Sequence, residues 1–403
     1  EPYRRQRQMC IRDRMYPASL TKIMTAIVVL ENVKDLDGET AEYPMWIQNM
    51  LYGTNASLGG LIVGEELTIR QLLTSALVQS GNESAMILAG YVGSGGMADF
   101  MPRDITTFVE MMNDKAKALG CTGTHFTNPT GLHSDNTYTT ARDMAIMAKY
   151  AMQKSAFSSI VKNYAVQLGQ TNKHADLWQY STNKMLLTSS PYYYAPVVGI
   201  KTGSTDEAGR CVISQAEDSG YHYFCVVMGS PVTAAEPYQN FIETRQLYRW
   251  AFGNFSLRTL LEQGELMAEV PVKYSGDGKV AKLAIKEDVV QLLRDDISLD
   301  SIIYKAELPE FVEAPIAAGD TVGKMHIMLM GEEIGTVELV ATQAFSLSWF
   351  RKALGTIGSL LSSTVAKVIF IVVVLAIAGY IVYAVRHNKK RKKHRSKYSD
   401  RNY

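Results

Sequence analysis

Apolar residues recur with helical spacing through the first part of the chain. The run from Ile23 to Leu30 is apolar on every side of a helix, which predicts a helix that is buried all round. Helical spacing also predicts helices at 68–79, 83–91, 106–119, 140–152, 155–161 and 237–252. Two strands, 210–215 and 221–228, are predicted on either side of a turn at 218–220. Helices followed by an antiparallel hairpin and a last helix predict an α/β (α+β) fold class, with helices packed on an antiparallel sheet.

The pattern changes near residue 258 to short segments with strand-like alternation. Gly-containing turns at 275–278 and 331–333 separate several of these segments. The predicted strands are 266–274, 280–286, 324–330 and 335–340. We therefore predict one domain over 15–258 and a small β-rich domain over 259–341.

The end of the chain has the pattern of a membrane anchor. Residues 342–364 predict an amphipathic connector that lies on a membrane surface, although a plain linker helix fits the pattern equally well. We assign 365–385 as a transmembrane helix, because 368–385 carries no charge and, with its flanks, is long enough to cross a bilayer. The basic tail 386–403 follows. Positive charge stays on the cytoplasmic side, so we expect a single-pass protein of the cell membrane, with a cytoplasmic tail and an extracytoplasmic body.

Composition narrows the remaining possibilities. The chain has 403 residues, 47% of them hydrophobic and 20% charged, with a net charge of +1. Because the tail is strongly basic, the rest is acidic on balance, and nothing argues for nucleic-acid binding by the body. The four cysteines lack metal-ligand spacing, so no structural zinc is expected. Cys211 and Cys225 flank the predicted hairpin turn, where a disulfide fits but two buried thiols are favoured.

Residues 1–14 are Arg-rich and have no periodicity. They lack the apolar region of a secretory signal. We leave this segment unassigned, as an artefact of the sequence or a truncated start.

Candidate chemistry begins at Ser19 and Lys22, which lie three residues apart at the start of the buried helix. Residues at i and i+3 share one face of a helix, so the hydroxyl and the amine are expected side by side. Serine becomes a nucleophile when an adjacent base takes its proton, and a desolvated lysine near another cation can be that base. An isolated pair of this kind mostly arises by chance, since serine also caps helices and lysine is common on their surfaces.

Two further motifs follow in order. Ser80-Gly81-Asn82 lies in a predicted turn between helices, and Lys201-Thr202-Gly203 lies at a predicted strand. The ordered set is typical of penicillin-binding proteins and class A β-lactamases. Together with the segments 16–22, 126–133, 140–144 and 199–209, it resembles the low-molecular-mass penicillin-binding proteins that are serine-type D-alanyl-D-alanine carboxypeptidases. The resemblance runs from about residue 15 to 255, and the β-rich segment and anchor also match that family's layout.

The resemblance implies an acyl-enzyme mechanism. Ser19 would be the acyl-ester nucleophile and Lys22 its proton acceptor. Ser80 would relay a proton to the leaving amine, while Asn82 would orient Lys22 and the substrate amide.

The resemblance also implies how substrate is held. Lys201 and Thr202 would receive the terminal carboxylate, and Gly203 would let the substrate backbone approach the strand. The N–H groups of Ser19 and Ser204 would form an oxyanion hole. The substrate would be a peptidoglycan stem peptide, β-lactam antibiotics would be acylating inhibitors, and neither a metal nor an organic cofactor would be needed.

Alternative functions stay open. A D,D-endopeptidase shares all three motifs. A class A β-lactamase of the same fold needs a Glu-x-x-Leu-Asn pattern for deacylation, and none occurs between Gly120 and Gly199. From another class, an inactive wall-binding or scaffold protein would result if an N-terminal truncation destroyed activity.

Overall fold

The computed structural model describes residues 11–354 and 364–399. The chain divides into two compact units, Glu1–Asn254 and Phe255–Tyr403. The predicted boundary after residue 258 falls inside the first strand of the second unit, Phe255–Leu261. Each unit has a hydrophobic core of its own.

The predicted buried helix is present as α1, Lys22–Asn32, and a 3₁₀ turn at Ala18–Thr21 leads into it. Its first eight residues are all buried, because apolar side chains on every side leave no solvent face. The other helices of this unit are α2 Met45–Leu51, α3 Ile69–Thr74, α4 Asn82–Gly93, α5 Pro102–Ala118, α6 Ala141–Met152, α7 Ser155–Val161 and α8 Gln239–Phe252. All but α2 were predicted from the sequence, with small differences at their ends.

The sheet of the first unit is antiparallel and has the order β5-β6-β7. Its strands are β5 Lys201–Thr205, β6 Gly209–Asp218 and β7 Tyr221–Ser230. The predicted hairpin is therefore correct, and the Lys-Thr-Gly motif forms the first three residues of β5. Helix α8 packs on β6 and β7 through a small cluster that includes Val212, Phe241 and Tyr248. This arrangement confirms the predicted fold class.

Two short pairs of strands were missed by the sequence pattern. Strands β1 Thr40–Glu42 and β2 Glu66–Thr68 pair antiparallel, as do β3 Ala165–Gln167 and β4 Trp178–Tyr180. Strands of three residues contain too little alternation to stand out from a loop.

The second unit is β-rich, as predicted. A sheet of order β12-β14-β15-β10-β9-β13 forms most of it, and β8 pairs with β11. The strands are β8 Phe255–Leu261, β9 Leu266–Lys273, β10 Val280–Ile285, β11 Val289–Arg294, β12 Ile302–Glu307, β13 Val312–Glu313, β14 Thr321–Leu329 and β15 Glu332–Ala341. The sequence pattern predicted β9, β10, β14 and β15 but missed the other four.

The first part of the predicted amphipathic connector, 342–364, belongs to the second unit and is not a separate surface segment. Phe345 pairs with Ile316 and is buried in the core of the second unit, so it is not available to a membrane surface. Residues 349–354 are helical, and Trp349 and Phe350 are exposed. The rest of the predicted connector, 355–363, lies outside the described residues.

A long helix, α9 Thr364–Ser399, follows. Within it, Val368–His387 is long and apolar enough to cross a membrane, with a mean hydropathy of 2.9.

Part of the unassigned segment 1–14 is ordered against the first unit. Ile11 accepts a hydrogen bond from the N–H of Arg142, and Met15 exchanges two backbone hydrogen bonds with Thr139. The Arg14 guanidinium lies 4.2 Å from the centre of the Tyr138 ring. Residues 1–10 lie outside the described part of the chain.

Two buried thiols, and not a disulfide, are present at Cys211 and Cys225, as favoured from the sequence. Among the described residues there is no group of three or more His, Cys, Asp or Glu side chains that could hold a metal ion.

Candidate active site

Ser19 lies in the 3₁₀ turn that leads into α1. Two glycines, Gly131 and Gly203, pack closely against this turn. Gly131 has a φ of +83°, and a Cβ there would overlap the carbonyl oxygen of Ala18. A Cβ on Gly203 would lie 2.9 Å from the Pro17 carbonyl oxygen and 3.1 Å from the Ser19 nitrogen. Close approach to the Ser19 turn is therefore one reason for a glycine at 203, and the role of Gly203 in letting a substrate backbone approach the strand stays a prediction.

The Lys22 amine contacts three other groups of the site. Its Nζ lies 3.1 Å from Ser19 Oγ, 2.7 Å from Asn82 Oδ1 and 2.8 Å from the Thr130 carbonyl oxygen. The side chain is 1% exposed. The expected proximity of Ser19 and Lys22 is present, and Asn82 joins them from sixty residues away in the chain.

Burial dominates the electrostatics of the two lysines. Burial, and then the charge of nearby Lys201, hold the pKa of Lys22 well below its ordinary value, while Glu83 acts in the opposite direction. Burial alone lowers the pKa of Lys201 to about 7. An ammonium group that has lost its water is destabilised relative to the neutral amine, so both lysines deprotonate far more readily than a surface lysine.

The Ser-Gly-Asn motif occupies a strained turn. Helix α3 widens into a π-helical turn at Ser75–Gln79, and Ser80 then adopts the left-handed region with a φ of 66°. Asn82 begins α4, and its N–H donates to the Ser57 carbonyl oxygen at 2.9 Å. Ser80 and Asn82 are both buried. Within this motif, the Lys22 amine donates to Asn82 Oδ1.

The Lys-Thr-Gly motif lies on β5, beside the Ser19 turn. Lys201 and Gly203 are buried on one face of this strand, and Ser204 is exposed. The Lys201 amine donates to the Thr202 carbonyl oxygen at 3.0 Å. The hydroxyls of Thr202 and Thr182 are hydrogen-bonded at 2.5 Å.

The loop 126–133 is a part of the site to which the sequence assigned no hydrogen-bonding role. Asn128 organises it: Oδ1 accepts from the N–H groups of Thr130 and Gly131, and Nδ2 donates to the Leu132 carbonyl oxygen. The loop thereby presents the Thr130 carbonyl oxygen to Lys22. The Asn-Pro-Thr-Gly run is rich in turn-forming residues, but a backbone acceptor leaves no signature in side-chain type.

Glu83 was also missed. This carboxyl is 1% exposed, and its Oε1 accepts from the Gly59 N–H at 2.5 Å. Burial raises the pKa of Glu83, against the opposing effect of backbone N–H groups and of Lys22. Its signal in the sequence was a charged residue among the apolar residues that follow the Ser-Gly-Asn turn.

Fold and site together define a penicillin-binding type of serine hydrolase. The family model described as D-alanyl-D-alanine carboxypeptidase matches residues 10–232, and a second, described as penicillin-binding protein 5, C-terminal domain, matches 255–346. The chain belongs to the D-alanyl-D-alanine carboxypeptidase family and is a serine-type enzyme of it.

Individual relatives agree with this assignment. The chain is 28% identical over 342 residues to the D-alanyl-D-alanine carboxypeptidase DacF of Bacillus subtilis, which covers 84% of this chain and 82% of the relative. It is 33% identical over 218 residues to a D-alanyl-D-alanine carboxypeptidase of Streptomyces sp. strain K15, with coverage of 53% and 72%.

Two solved structures of penicillin-binding type also match the chain. Penicillin-binding protein 5 from Haemophilus influenzae matches with a TM-score of 0.61 at 27% identity, over 83% of this chain and 92% of that one. The Streptomyces K15 DD-transpeptidase matches with a TM-score of 0.52 at 30% identity, over 59% and 88%.

Proposed function

We propose that this carboxypeptidase is anchored in a membrane, removes the terminal D-alanine of peptidoglycan stem pentapeptides through an acyl-enzyme on Ser19, and is acylated there by penicillins. The observation that carries the proposal is the set of three contacts made by the Lys22 amine. They connect the nucleophile to the middle motif and to the loop 126–133.

The hydrogen-bond inventory of Lys22 supports its role as the proton acceptor. A neutral amine has two N–H donors and one lone pair. Asn82 Oδ1 and the Thr130 carbonyl oxygen can only accept, and they are the two shorter contacts. Both N–H bonds are then used, and the lone pair faces Ser19 Oγ at 3.1 Å. The lowered pKa of Lys22 favours this neutral form.

The other residues complete the proposed cycle. Lys22 takes the proton as Ser19 attacks the carbonyl between the two D-alanines. The N–H groups of Ser19 and Ser204 stabilise the oxyanion, a contribution of about 3 kcal/mol per donor in comparable sites. Ser80 passes a proton to the leaving D-alanine, and water then releases the acyl group.

The proposed carboxylate anchor is Lys201 with Thr202. The charged form of Lys201 is available up to about neutral pH, where its pKa lies. A protonated Lys201 also disfavours protonation of Lys22, so one cation would serve both substrate binding and base activation.

Membrane anchoring rests on Val368–His387, and orientation rests on the basic residues that follow it. Positive charge remains on the cytoplasmic side of a membrane. We therefore propose a catalytic unit outside the cell and a tail, 386–403, inside. The domain organisation proposed from the sequence, with a catalytic domain over 15–258, stays part of this proposal.

A fluorescent penicillin tests the nucleophile. The full chain, in detergent or membranes, should acquire label on the peptide that contains Ser19, and Ser19→Ala should lose it. Ser159→Ala, which removes an exposed serine of α7, should label as the wild type does. Labelling of Ser19→Ala, or a folded wild type that takes no label, would contradict the proposal.

Substrate assays separate the proposed reaction from its rivals. Release of free D-alanine from a pentapeptide, without rapid turnover of penicillin, supports the carboxypeptidase over the β-lactamase. Cleavage of cross-linked dimers with no release of D-alanine would identify an endopeptidase instead.

A further inference from the structure

Three aromatic side chains form a surface cluster on the β3–β4 hairpin. Trp178 and Tyr180 are stacked, with ring centres 6.4 Å apart and planes 23° apart. The Tyr164 ring lies 6.2 Å from that of Tyr180. We call Tyr164, Trp178 and Tyr180 the aromatic shelf.

The alternation of β4 turns the shelf toward solvent. Gln179 is buried, and its Nε2 donates to the Gly59 carbonyl oxygen at 2.9 Å. Its neighbours Trp178 and Tyr180 therefore lie on the opposite face, where they are 47% and 50% exposed. Neighbouring exposed rings differ from single apolar residues scattered over a surface, because together they offer a larger apolar area. Here Trp178 and Tyr180 form the flat part, and the Tyr164 ring is inclined at 57° to that of Tyr180.

The shelf is fixed between two of the three catalytic motifs. The Tyr180 N–H donates to Gln79 Oε1, one residue before the Ser-Gly-Asn motif. Two residues further on, the Thr182 hydroxyl bonds that of Thr202 in the Lys-Thr-Gly motif. By chain length alone, Tyr180 lies within about 7 Å and Trp178 within about 14 Å of Thr182.

We propose that the aromatic shelf binds a sugar ring of the glycan strand to which the stem peptide is attached. The inference rests on the proposed function, and it adds a second substrate contact outside the acylation site. The enzyme would then distinguish a stem peptide on wall glycan from the same peptide free in solution.

The stem peptide is long enough to reach the shelf. Four residues of stem peptide separate the glycan from the bond that is cut, and an extended chain of four residues spans up to about 14 Å. Trp178 lies at most about 14 Å from Thr182, so the glycan end of a bound stem peptide can come within reach of the shelf.

The chemistry of the shelf suits a hexose. A pyranose ring has an apolar C–H face that packs on a flat aromatic platform, and its hydroxyl groups can bond the Trp N–H and Tyr O–H. A rigid platform also loses little conformational entropy when it binds, because each ring has two side-chain torsions.

The test compares two substrates that differ by one group. The first is a free stem pentapeptide, and the second is the same pentapeptide on its N-acetylated disaccharide. We expect wild-type kcat/KM to favour the disaccharide substrate. In Trp178→Ala that preference should fall about 2- to 10-fold, the range for loss of an aromatic packing contact, while kcat/KM for the free peptide stays unchanged.

Controls separate the shelf from the fold and from the catalytic site. Trp250→Ala removes a tryptophan of α8 that is 45% exposed, and it should keep the wild-type preference. Penicillin carries no sugar, so Trp178→Ala should label at the wild-type rate.

Two outcomes would overturn the inference. An equal loss on both substrates would mean that the shelf contacts the peptide, and no loss on either would mean that it contacts no substrate. Failure of the wild type to release D-alanine from the free peptide would instead refute the proposed function, so the two failures are distinguishable.

Discussion

In the first unit, Lys22, Glu83 and Lys201 lie inside the protein with almost no exposed surface, whereas the charged side chains of the second unit stay at its surface. Among the described residues, every buried polar or charged residue except Ser275 belongs to the first unit. Burying a charge costs free energy that packing elsewhere has to offset. Under the proposed mechanism, the first unit bears that cost at Lys22 and Lys201 because their burial makes them reactive, whereas the core of the second unit is apolar.

Replacing a buried amine should separate reactivity from stability most clearly. Lys201→Met should lower kcat/KM at least about 100-fold through loss of the carboxylate anchor. The same change should stabilise the protein by at most about 5 kcal/mol at pH 7, because burial lowers the pKa of Lys201 from 10.5 to about 7 and so penalises its charged form in the folded state. Wild-type stability should rise with pH from about 7 to 10, and the rise should be smaller in the variant, where Lys22 alone of the two buried lysines still contributes to it.

Urea unfolding at pH 7 and pH 9, with parallel kinetics, checks the Lys201→Met prediction. Lys149→Met, which replaces an exposed lysine of α6, should change neither quantity appreciably. A destabilised Lys201→Met variant would show that the amine is favourably solvated in the folded state.

A cavity in the second unit should lower stability and leave activity unchanged, which is the reverse of the effect expected for Lys201→Met. Leu283 is fully buried in β10, and Leu283→Ala should cost about 2–5 kcal/mol of unfolding free energy. Penicillin labelling and kcat/KM of the folded protein should be unchanged, because no proposed catalytic group lies in this unit. Val280→Ala, at an exposed position of the same strand, is the matched control.

Differential scanning calorimetry with activity assays distinguishes the outcomes for Leu283→Ala. A loss of activity at a temperature where the variant is folded would contradict the proposal that the first unit carries the catalytic groups and the second has a structural role.

A smaller effect is expected at Glu83, whose charge raises the pKa of Lys22. Glu83→Gln keeps an acceptor for the Gly59 N–H but removes the charge, so the pKa of Lys22 should fall further. The acidic limb of the pH profile of kcat/KM should move to lower pH by less than about one pH unit. At a given pH on that limb, kcat/KM should therefore rise by less than about tenfold. Glu83→Ala should instead reduce activity at every pH, since it also removes the acceptor for Gly59. If the acidic limb lies at the same pH in Glu83→Gln as in the wild type, Lys22 is not the group whose titration produces that limb.

The smallest effect is expected at His326 on β14. Hydrogen bonds to Glu307 and then Glu333 raise the pKa of this imidazole. A raised folded-state pKa stabilises the protein at low pH, and this contribution disappears as the pH rises through that pKa. Thermal melting of wild type and His326→Gln should therefore differ at pH 5 and converge by pH 9, with kcat/KM equal throughout. A difference that persists at pH 9 would point to packing instead of charge.

Sequence patterns predicted much of this molecule because its main elements are long or chemically distinctive. Helix α1 was recognisable from an unbroken apolar run, and Ser19, Lys22 and Asn82 from ordered motifs. The three-residue strands of the β3–β4 hairpin were missed because pairing, not alternation, defines them. In the second unit, β8 and β11 were missed although each has six or more residues, since no tight turn joins them as the turns at 275–278 and 331–333 join β9 to β10 and β14 to β15.

The missed parts of the site have a common physical cause. The Thr130 carbonyl oxygen and the packing of Gly131 and Gly203 are properties of the backbone in three dimensions. Glu83 gains its importance from burial, which residue type alone does not give.

Close packing of Gly131 and Gly203 on the Ser19 turn has a consequence for the evolution of drug resistance. A target can escape an inhibitor by placing a bulkier side chain at the rim of its site. At position 203, however, any side chain would press on the backbone that carries Ser19 before it obstructed a bound drug, and at position 131 it would overlap Ala18. Under the proposed chemistry, substitutions at these two positions impair the enzyme itself, so a resistant lineage has to arise through changes elsewhere around the cleft.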